Sequence, residues 1–201
     1  MKKSLLIVLW VILWIILLII LFISDKYNTM VWLDESTKTA RSQVENVYQR
    51  RLDLIPNLVN TVKWIASQEE QVFIWVTNAR AAATKVNINI DDIQEFSNFQ
   101  KSQTELSSAL SRLLMVTENY PDIKSNQNFL ELQSQLEWTE NRIAVERKTF
   151  NETAKNYNIY IRRVPNNLIA SILWFKQREL FEASEWAEIA PIVDFAPAFQ
   201  E

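Results

Sequence analysis

The chain opens with a continuous apolar run and continues with long segments in which apolar positions recur at helical spacing. The run extends from Ser4 to Ile23 and contains no charged side chain. At a rise of about 1.5 Å per residue, a helix of this length crosses a hydrocarbon core of roughly 30 Å. The pattern therefore predicts a single-pass transmembrane anchor at residues 1–26, with the lipid bilayer as its partner, followed by a domain at residues 27–201.

A cleaved signal peptide is the alternative interpretation of the apolar run. The run is longer than the core of a typical signal peptide, and no small-residue cleavage motif follows Ile23. We therefore predict an anchor that stays attached. The positive-inside rule places the denser basic flank of such an anchor in the cytoplasm. Lys2 and Lys3 directly precede the run, whereas Lys26 and Lys38 are spread beyond it, which weakly favours an extracytoplasmic domain.

Three amphipathic segments follow the anchor, and alternating steps of three and four residues between apolar side chains predict that each is an α-helix. Their apolar faces comprise Val44, Val47, Leu54, Leu58, Val62 and Ile65; then Phe96, Phe99, Leu106, Leu110, Leu113, Thr117 and Tyr120; then Phe129, Leu132, Leu136, Thr139, Ile143, Phe150, Thr153, Tyr157 and Tyr160. The period near 3.5 in the last segment, which only Glu146 interrupts, predicts left-handed, coiled-coil packing. One helix cannot bury such a face alone, so the predicted fold class is all-α, an antiparallel bundle of long helices.

Prolines and polar stretches predict where these helices end. Pro56 predicts a kink or a break in the first segment because proline removes a backbone donor. Residues 87–90 are predicted to form a loop, and the next two helices are predicted at about 91–120 and 125–163. Residues 165–201 are predicted to form a short helix over about 168–181 and an extended strap that includes 190–195.

The residue composition excludes much catalytic and metal-binding chemistry. The chain contains no His and no Cys, which removes the commonest general base, the commonest metal ligand and every thiolate site. The net charge is −3 with both signs interspersed, so no clustered basic face for nucleic acid is indicated. Acidic pairs such as Glu137 and Glu140 fit a solvated helix face, because a di-iron bundle would also need His. We predict no catalytic residue, cofactor or metal site, and a protein that is not an enzyme.

Glycine is absent and tryptophan is abundant, which is unusual for a chain of this size. The sequence has 0 Gly and 8 Trp, whereas average usage would give roughly 14 Gly. Turns and helix ends favour glycine, and Trp174 lies at the end of an apolar helical run. We therefore interpret the tryptophans as standing where glycines stood. A naturally Trp-rich membrane protein is the alternative.

Trp10 and Trp14 lie four residues apart on one face of the anchor. With glycine at both positions the segment would read Gly-x-x-x-Gly, a spacing that lets two membrane helices approach closely. Two indole rings fill that space, so this face is expected to support helix association poorly, and homo-oligomerisation stays open. The alternative is that glycines at these two positions would only be tolerated small residues with no role in helix packing, because the motif alone is a weak signal.

A polar cluster surrounds the proline of the first segment and consists of Arg50, Arg51, Asp53, Pro56 and Asn57. It is either a docking point for a partner or a structural device. In the structural case an arginine pairs with Asp53 or an acid on a neighbouring helix, and Asn57 binds a carbonyl freed by Pro56. We favour this case because a kink leaves polar backbone that must be paired. Four further residues are interpreted as helix caps and inter-helix hydrogen bonds: Asn126, Asn128, Asn141 and Arg142.

Specific sequence blocks are spread over almost the whole chain. They read QRRLDLIPNLV at residues 49–59, YPDIKSNQNF at 120–129, EWTENRIA at 137–144, PNNLIA at 165–170 and VDF at 193–195. In these blocks the sequence resembles the bacterial LemA family, in which glycine occupies the positions of Trp64 and Trp174. The resemblance implies a single-span bacterial membrane protein with a helical bundle, no established catalytic residue, and a domain often drawn in the cytoplasm.

Two functions are consistent with this sequence. The first is a membrane-anchored scaffold or protein-interaction module of the bacterial cell envelope, with a protein partner that the sequence does not identify. The alternative is an envelope hydrolase that uses a carboxylate or a Ser-Lys pair. Polar residues that converge in one pocket would favour the hydrolase, whereas a bundle with shallow grooves would favour the scaffold.

Overall fold

The computed structural model describes residues 2–66 and 68–182, and within this part of the chain it contains helices and no β-strand. The helices are α1 (Lys2–Ile65), α2 (Glu70–Lys85), α3 (Ile93–Thr117), α4 (Pro121–Lys124), α5 (Gln127–Arg162) and α6 (Asn166–Ile172). The all-α prediction is confirmed.

Helix α1 carries both the apolar run and the first helix of the domain. It is 64 residues long, which corresponds to about 95 Å. Its apolar segment is long enough to cross a membrane and its side chains are exposed there. The helix continues without interruption past residue 26 and through Pro56, so the break considered at Pro56 does not occur. The apolar run and the domain are therefore joined by continuous helix.

The bundle pairs α1 with α5 in antiparallel orientation. Met30 packs with Tyr157 near the end of α5, whereas Val62 shares a core with Phe129 near its start. Helices α2 and α3 form a second antiparallel pair that contributes Val76 and other side chains to the same core. The predicted antiparallel bundle of long helices is thus present, with the start of α5 at the end farthest from the apolar run.

Helix α2 is much shorter than its neighbours, and other parts of the chain close the core beyond it. The core nearer the apolar run contains Ile88 and Ile90 of the α2–α3 connection and Phe181 from the C-terminal part of the chain. Phe181 packs against Phe96, with ring centroids 4.8 Å apart, and against Phe150, at 5.3 Å. The connection and the C-terminal segment therefore replace a helix in this half of the bundle.

The buried face of α3 agrees with the predicted face, which is buried from Phe96 to Thr117. On α1 the prediction needs correction at two positions: Val47 and Leu54 are only half-buried, whereas the neighbouring Tyr48 and Ile55 are buried in the core. The buried positions of α1 include polar residues such as Thr37 and Arg51. A search for apolar residues alone does not find buried polar positions, so the predicted face lies one residue too early at Val47 and Leu54.

Side-chain caps begin two of the helices, and the cap predicted at Asn126 is confirmed. The Asp92 carboxylate accepts a hydrogen bond from the Glu95 backbone N–H and caps α3. The Asn126 side chain accepts from the backbone N–H groups of Asn128 and Phe129 and caps α5. The break between α1 and α2 was not predicted, because residues 66–69 contain neither proline nor glycine.

The C-terminal part differs from the predicted helix over 168–181. Helix α6 covers only Asn166–Ile172, and the chain then runs without regular structure to Glu182. We call residues 175–182 the strap, because they lie along α5. The strap begins earlier than predicted, and the positions 190–195 predicted to belong to it lie outside the described residues.

Trp174 adopts a backbone conformation that favours glycine. Its φ angle is 62°, and it directly follows the C-cap Leu173 of α6. The Phe175 N–H donates to the Ala170 carbonyl at 3.0 Å, the bond of a Schellman motif, whose left-handed position is usually glycine. The seven tryptophans that the structure describes are all exposed. Both observations support the interpretation that tryptophan stands at glycine positions, and Trp186 lies outside the described residues.

Replacement of Trp174 by glycine is expected to raise the free energy of unfolding by about 1 kcal/mol, because the left-handed conformation is unfavourable for a residue with a Cβ. Little packing is lost, since the Trp174 side chain is 84% exposed. Denaturant unfolding of the full chain in detergent micelles, followed by circular dichroism, measures the change. The same replacement at Trp138, a helical position on the flank of α5, should give no gain because glycine disfavours a helix interior. Equal effects at the two positions would contradict this account of Trp174.

Candidate functional site

Arg51 forms a buried polar layer that joins three helices. Its side chain is 2% exposed. The Arg51 Nη1 donates to Glu140 Oε1 on α5 at 2.9 Å and to Ser107 Oγ on α3 at 3.1 Å. The Arg51 Nη2 donates to Gln103 Oε1, also on α3. The prediction that an arginine of the proline cluster pairs with an acid on a neighbouring helix is confirmed.

Aromatic rings complete the layer. The guanidinium of Arg51 lies over the Tyr48 ring, 5.2 Å from its centroid, and Tyr48 meets Phe99 edge to face at 5.1 Å. Burial raises the pKa of the Tyr48 hydroxyl above its ordinary value, although the cations of Arg147 and Arg51 act against it. Tyr48 therefore stays neutral at physiological pH, and the layer carries the charges of Arg51 and Glu140.

Pro56 leaves the carbonyl of Leu52 without its intrahelical donor, because proline has no N–H. Arg80 of α2 supplies the missing donor, and its Nε lies 2.9 Å from the Leu52 oxygen. The prediction that Asn57 performs this role is wrong, since Asn57 is exposed and the partner comes from another helix. The proline thus creates a hydrogen bond between α1 and α2.

The remaining residues of the proline cluster lie on the surface of α1. Arg50 lies over the ring of Trp138, 4.9 Å from the centroid. The Asp53 carboxylate accepts from Gln49 Nε2 at 2.8 Å within the same helix, so it does not pair with either arginine. Neither residue joins the buried layer around Arg51.

The other predicted polar residues on α5 have separate roles. Arg142 pairs with Glu146 at 2.6 Å, which neutralises an acid buried on the inner face of the helix. Asn128 and Asn141 are exposed, and within the described residues their side chains form no hydrogen bond between helices. The inter-helix role predicted for these two asparagines is therefore not observed.

A groove opens beside the Arg51 layer, between α1, the end of α2 and α3. Its volume is about 470 Å³, and its walls include Tyr48, Thr84, Phe99 and Gln103. Gln103 is 5% exposed. Its oxygen is bound to Arg51, whereas its Nε2 has no partner among the described residues. The wall of the groove therefore contains a buried amide donor and a pair of aromatic rings that contact each other.

A second set of polar residues holds the strap by its backbone. Asn158 of α5 accepts from the Arg178 N–H and donates to the Arg178 carbonyl, both at 2.8 Å. Asn151 forms the same pair of bonds with the backbone of Phe181, again at 2.8 Å. The two asparagines lie two helical turns apart, and they bind strap residues three positions apart. This spacing requires the strap to be extended.

The Arg178 side chain fastens the strap to two acids. It pairs with Asp34 of α1 and with Asp91 of the α2–α3 connection, and its guanidinium lies 5.4 Å from the Tyr157 ring centroid. Burial alone would raise the pKa of the Asp34 carboxyl, but hydrogen bonds from Arg178 and Lys38 outweigh it and hold the pKa below its ordinary value. Asp34 therefore remains charged at neutral pH.

Sequence reasoning missed several residues of these two arrangements. Asp34 and Gln103 occupy positions on helical core faces that the apolar pattern treats as gaps, and Arg178 lies far from its partners in the chain. The seven-residue spacing of Asn151 and Asn158 was a local signal that two amides share one face of α5. Nothing local indicated that the strap would cover that face.

No convergent set of reactive groups is found among the described residues. They contain no cluster of three Asp, Glu, His or Cys side chains that could hold a metal ion. Of the acidic pair predicted for α5, Glu140 is bound to Arg51 and Glu137 accepts from Gln133 at 3.0 Å in the same helix. The two carboxylates therefore have different partners and do not face one site.

Comparison with known proteins gives a consistent family match. The model of the LemA family matches residues 40–195. Magnetosome proteins MamQ 2 and MamQ 1 of Paramagnetospirillum magneticum (strain AMB-1) are 28% identical to this chain over 176 residues, which covers 78% of the chain and 65% of each relative. Magnetosome protein MamQ of Magnetospirillum gryphiswaldense is 27% identical over 175 residues, covering 78% and 64%. The chain thus spans about 65% of the length of these curated relatives.

Proposed function

The chain belongs to the LemA family, and from this premise we propose that it is a membrane-anchored, non-enzymatic interaction module of the bacterial cell envelope. Its family and its relatives support membrane association. The relatives are named as magnetosome proteins. Because this chain spans about 65% of their length, we propose for it only a helical interaction module and not a role in magnetosomes. Under this proposal α1 crosses the bilayer once and holds the bundle against it.

The groove beside Gln103 carries the proposal. A buried amide N–H without a partner is unfavourable by about 1–3 kcal/mol unless an acceptor reaches it. Tyr48 and Phe99 line the same groove, and their rings, which contact each other, offer an apolar surface. An extended peptide segment fits this chemistry, because its main-chain carbonyl can accept from Gln103 Nε2 once the amide turns toward the groove, while a side chain packs on the rings. The hydrolase alternative has no comparable support, since Glu140 is engaged by Arg51.

Membrane anchoring makes a direct prediction. The full chain should stay in the membrane pellet after extraction with alkaline carbonate, because the apolar segment of α1 is long enough to cross the hydrocarbon core. A chain that begins at Tyr27 should instead appear in the supernatant. Release of the full chain by carbonate would contradict the proposed span, whichever side of the membrane holds the domain.

Photocrosslinking tests the groove. A benzophenone amino acid placed at Asn46 or Thr84, which line the groove, should give a discrete crosslinked product in cells. The control position is Asn141, which is also exposed but lies on α5 outside the groove. Replacement of Asn87, another residue that lines the groove, by tryptophan should reduce the product by filling the space.

The size of the crosslinked product identifies its occupant. A product of twice the chain mass would make the partner a second copy, and a different mass would make it another protein. Either result supports an interaction module when the control position gives none. Equal labelling from Asn141, or no product from both groove positions, would contradict the proposal.

A further inference from the structure

The end of the domain nearest the apolar run exposes a group of apolar side chains. Leu168 and Ile172 lie one turn apart on α6 and are 63% and 75% exposed, and Val164 in the preceding turn is exposed as well. The opposite face of α6 is buried against the bundle through Asn166 and Ala170. Single exposed apolar residues are normal on a protein surface. Here they share one face of one short helix and the turn before it.

This face lies beside the predicted membrane surface. Ala170 packs in a cluster with Met30 of α1, and Phe175 meets Tyr27 edge to face at 6.1 Å. Tyr27 follows Ile23, the last residue of the apolar run, by one helical turn, or about 6 Å along the axis. Met30 lies seven residues, or about 10 Å, beyond Ile23, and because α1 is one continuous helix here, α6 is held beside the headgroup layer of the bilayer that α1 would cross.

The charges around α6 suit a lipid headgroup layer. Arg162 and Arg163 end α5 directly before the exposed turn, and Lys176 follows α6; all three side chains are exposed. Basic side chains at the edge of an apolar surface are attracted to anionic lipids, and this attraction falls off within a Debye length of the membrane. Because α6 is held near the bilayer, these three basic side chains lie close enough to anionic headgroups to be attracted to them.

We propose that α6 and the turn before it, residues 163–172, form a second membrane contact that inserts its exposed apolar face into the interface of the bilayer that α1 crosses. The occupant of this face is the lipid surface, with a preference for anionic headgroups. The contact does not depend on Trp174, so it holds equally if glycine stands there. It fixes the long α1–α5 pair relative to the membrane plane and thereby presents the bundle in one orientation.

The absence of cysteine from the sequence allows a clean test on the full chain. Ile172→Cys is labelled with the environment-sensitive dye NBD and reconstituted into phosphatidylcholine vesicles that contain phosphatidylglycerol. The control is Asn119→Cys, in the exposed connection between α3 and α4 at the far end of the bundle. We expect blue-shifted emission at residue 172 and quenching by lipids that carry bromine on their acyl chains. At residue 119 we expect neither.

Charge reversal tests the attraction of this contact to anionic headgroups. Arg162→Glu together with Arg163→Glu should shift the emission at residue 172 toward the value at residue 119, while circular dichroism shows unchanged helicity. Equal quenching at residues 172 and 119 would overturn the proposal. A blue shift at residue 172 that lipid bromine does not quench, and that disappears on dilution of the protein in lipid, would overturn it in favour of a second copy of the chain.

Discussion

Arg51→Ala is expected to lower the free energy of unfolding by about 3 kcal/mol, at the lower end of the range for breaking a buried ion pair. The lower end applies because Glu140, the charged partner, is 42% exposed and regains solvent when Arg51 is removed. The loss of stability has two other sources. One is the cavity that the missing side chain leaves among α1, α3 and α5. The other is the buried Gln103 Oε1, which no longer accepts a hydrogen bond from Arg51. Urea unfolding of the full chain in detergent micelles measures the change.

Arg50→Ala is the matched control, because it removes the same side chain one position away on the surface of α1. Arg50 lies on the surface over the ring of Trp138, so its replacement should change the free energy of unfolding by about 0.5–1 kcal/mol. A comparable loss for the two variants would show that the buried layer has no special role in stability.

The polar layer also predicts a compensating pair. Arg51→Met keeps much of the volume and leaves the Gln103 oxygen unpaired, at about 1–3 kcal/mol. Combining it with Gln103→Leu removes both polar partners, and a buried ionic group replaced by apolar residues of similar size is often neutral or stabilising. The double variant should therefore be more stable than Arg51→Met alone. Additive losses would contradict the coupling between these two side chains.

The sequence was most informative where apolar spacing decides structure. On α3 the inward positions from Phe96 to Thr117 repeat in steps of three and four, and all of the predicted ones in this span are buried. The caps at Asp92 and Asn126 were predictable because a short polar side chain before a periodic segment satisfies free backbone N–H groups. These features depend on neighbours within one or two helical turns.

The features that the sequence did not reveal depend on partners that are distant in the chain, or on a helix end that no proline or glycine marks. Pro56 suggested a break, but the helix persists because Arg80 of α2 binds the carbonyl that the proline frees. The end of α1 at Ile65 was missed because residues 66–69 contain neither proline nor glycine, which would have marked a helix end. Polar residues at core positions, such as Arg51, were not recognised as buried because their partners lie on other helices.

The strap gives the second large expected effect. Arg178→Ala should loosen residues 175–182 on α5 and lower the free energy of unfolding by about 3 kcal/mol, at the lower end of the range for a broken buried ion pair, because the buried Asp34 loses Arg178 while Lys38 stays paired with it at 2.9 Å. The pair with Asp91 adds little to this figure, since Asp91 is largely exposed. Amide hydrogen exchange at Phe181, whose N–H is bound to Asn151, should accelerate strongly. Gln177→Ala is the control, because Gln177 is an exposed neighbour in the same strap.

Protonation of Asp34 should act in the same direction as the loss of Arg178. The pKa of Asp34 in the folded protein lies below its ordinary value, so the folded state favours the charged form. Its contribution to stability is therefore fully present above the unfolded pKa of about 4 and is lost as the pH falls through the folded pKa. Protection of the Phe181 amide should decrease over this acidic range in the unsubstituted chain. In Asp34→Asn, which cannot titrate, protection should be low at neutral pH and should lack this acidic step; an unchanged acid profile would show that another group holds the strap.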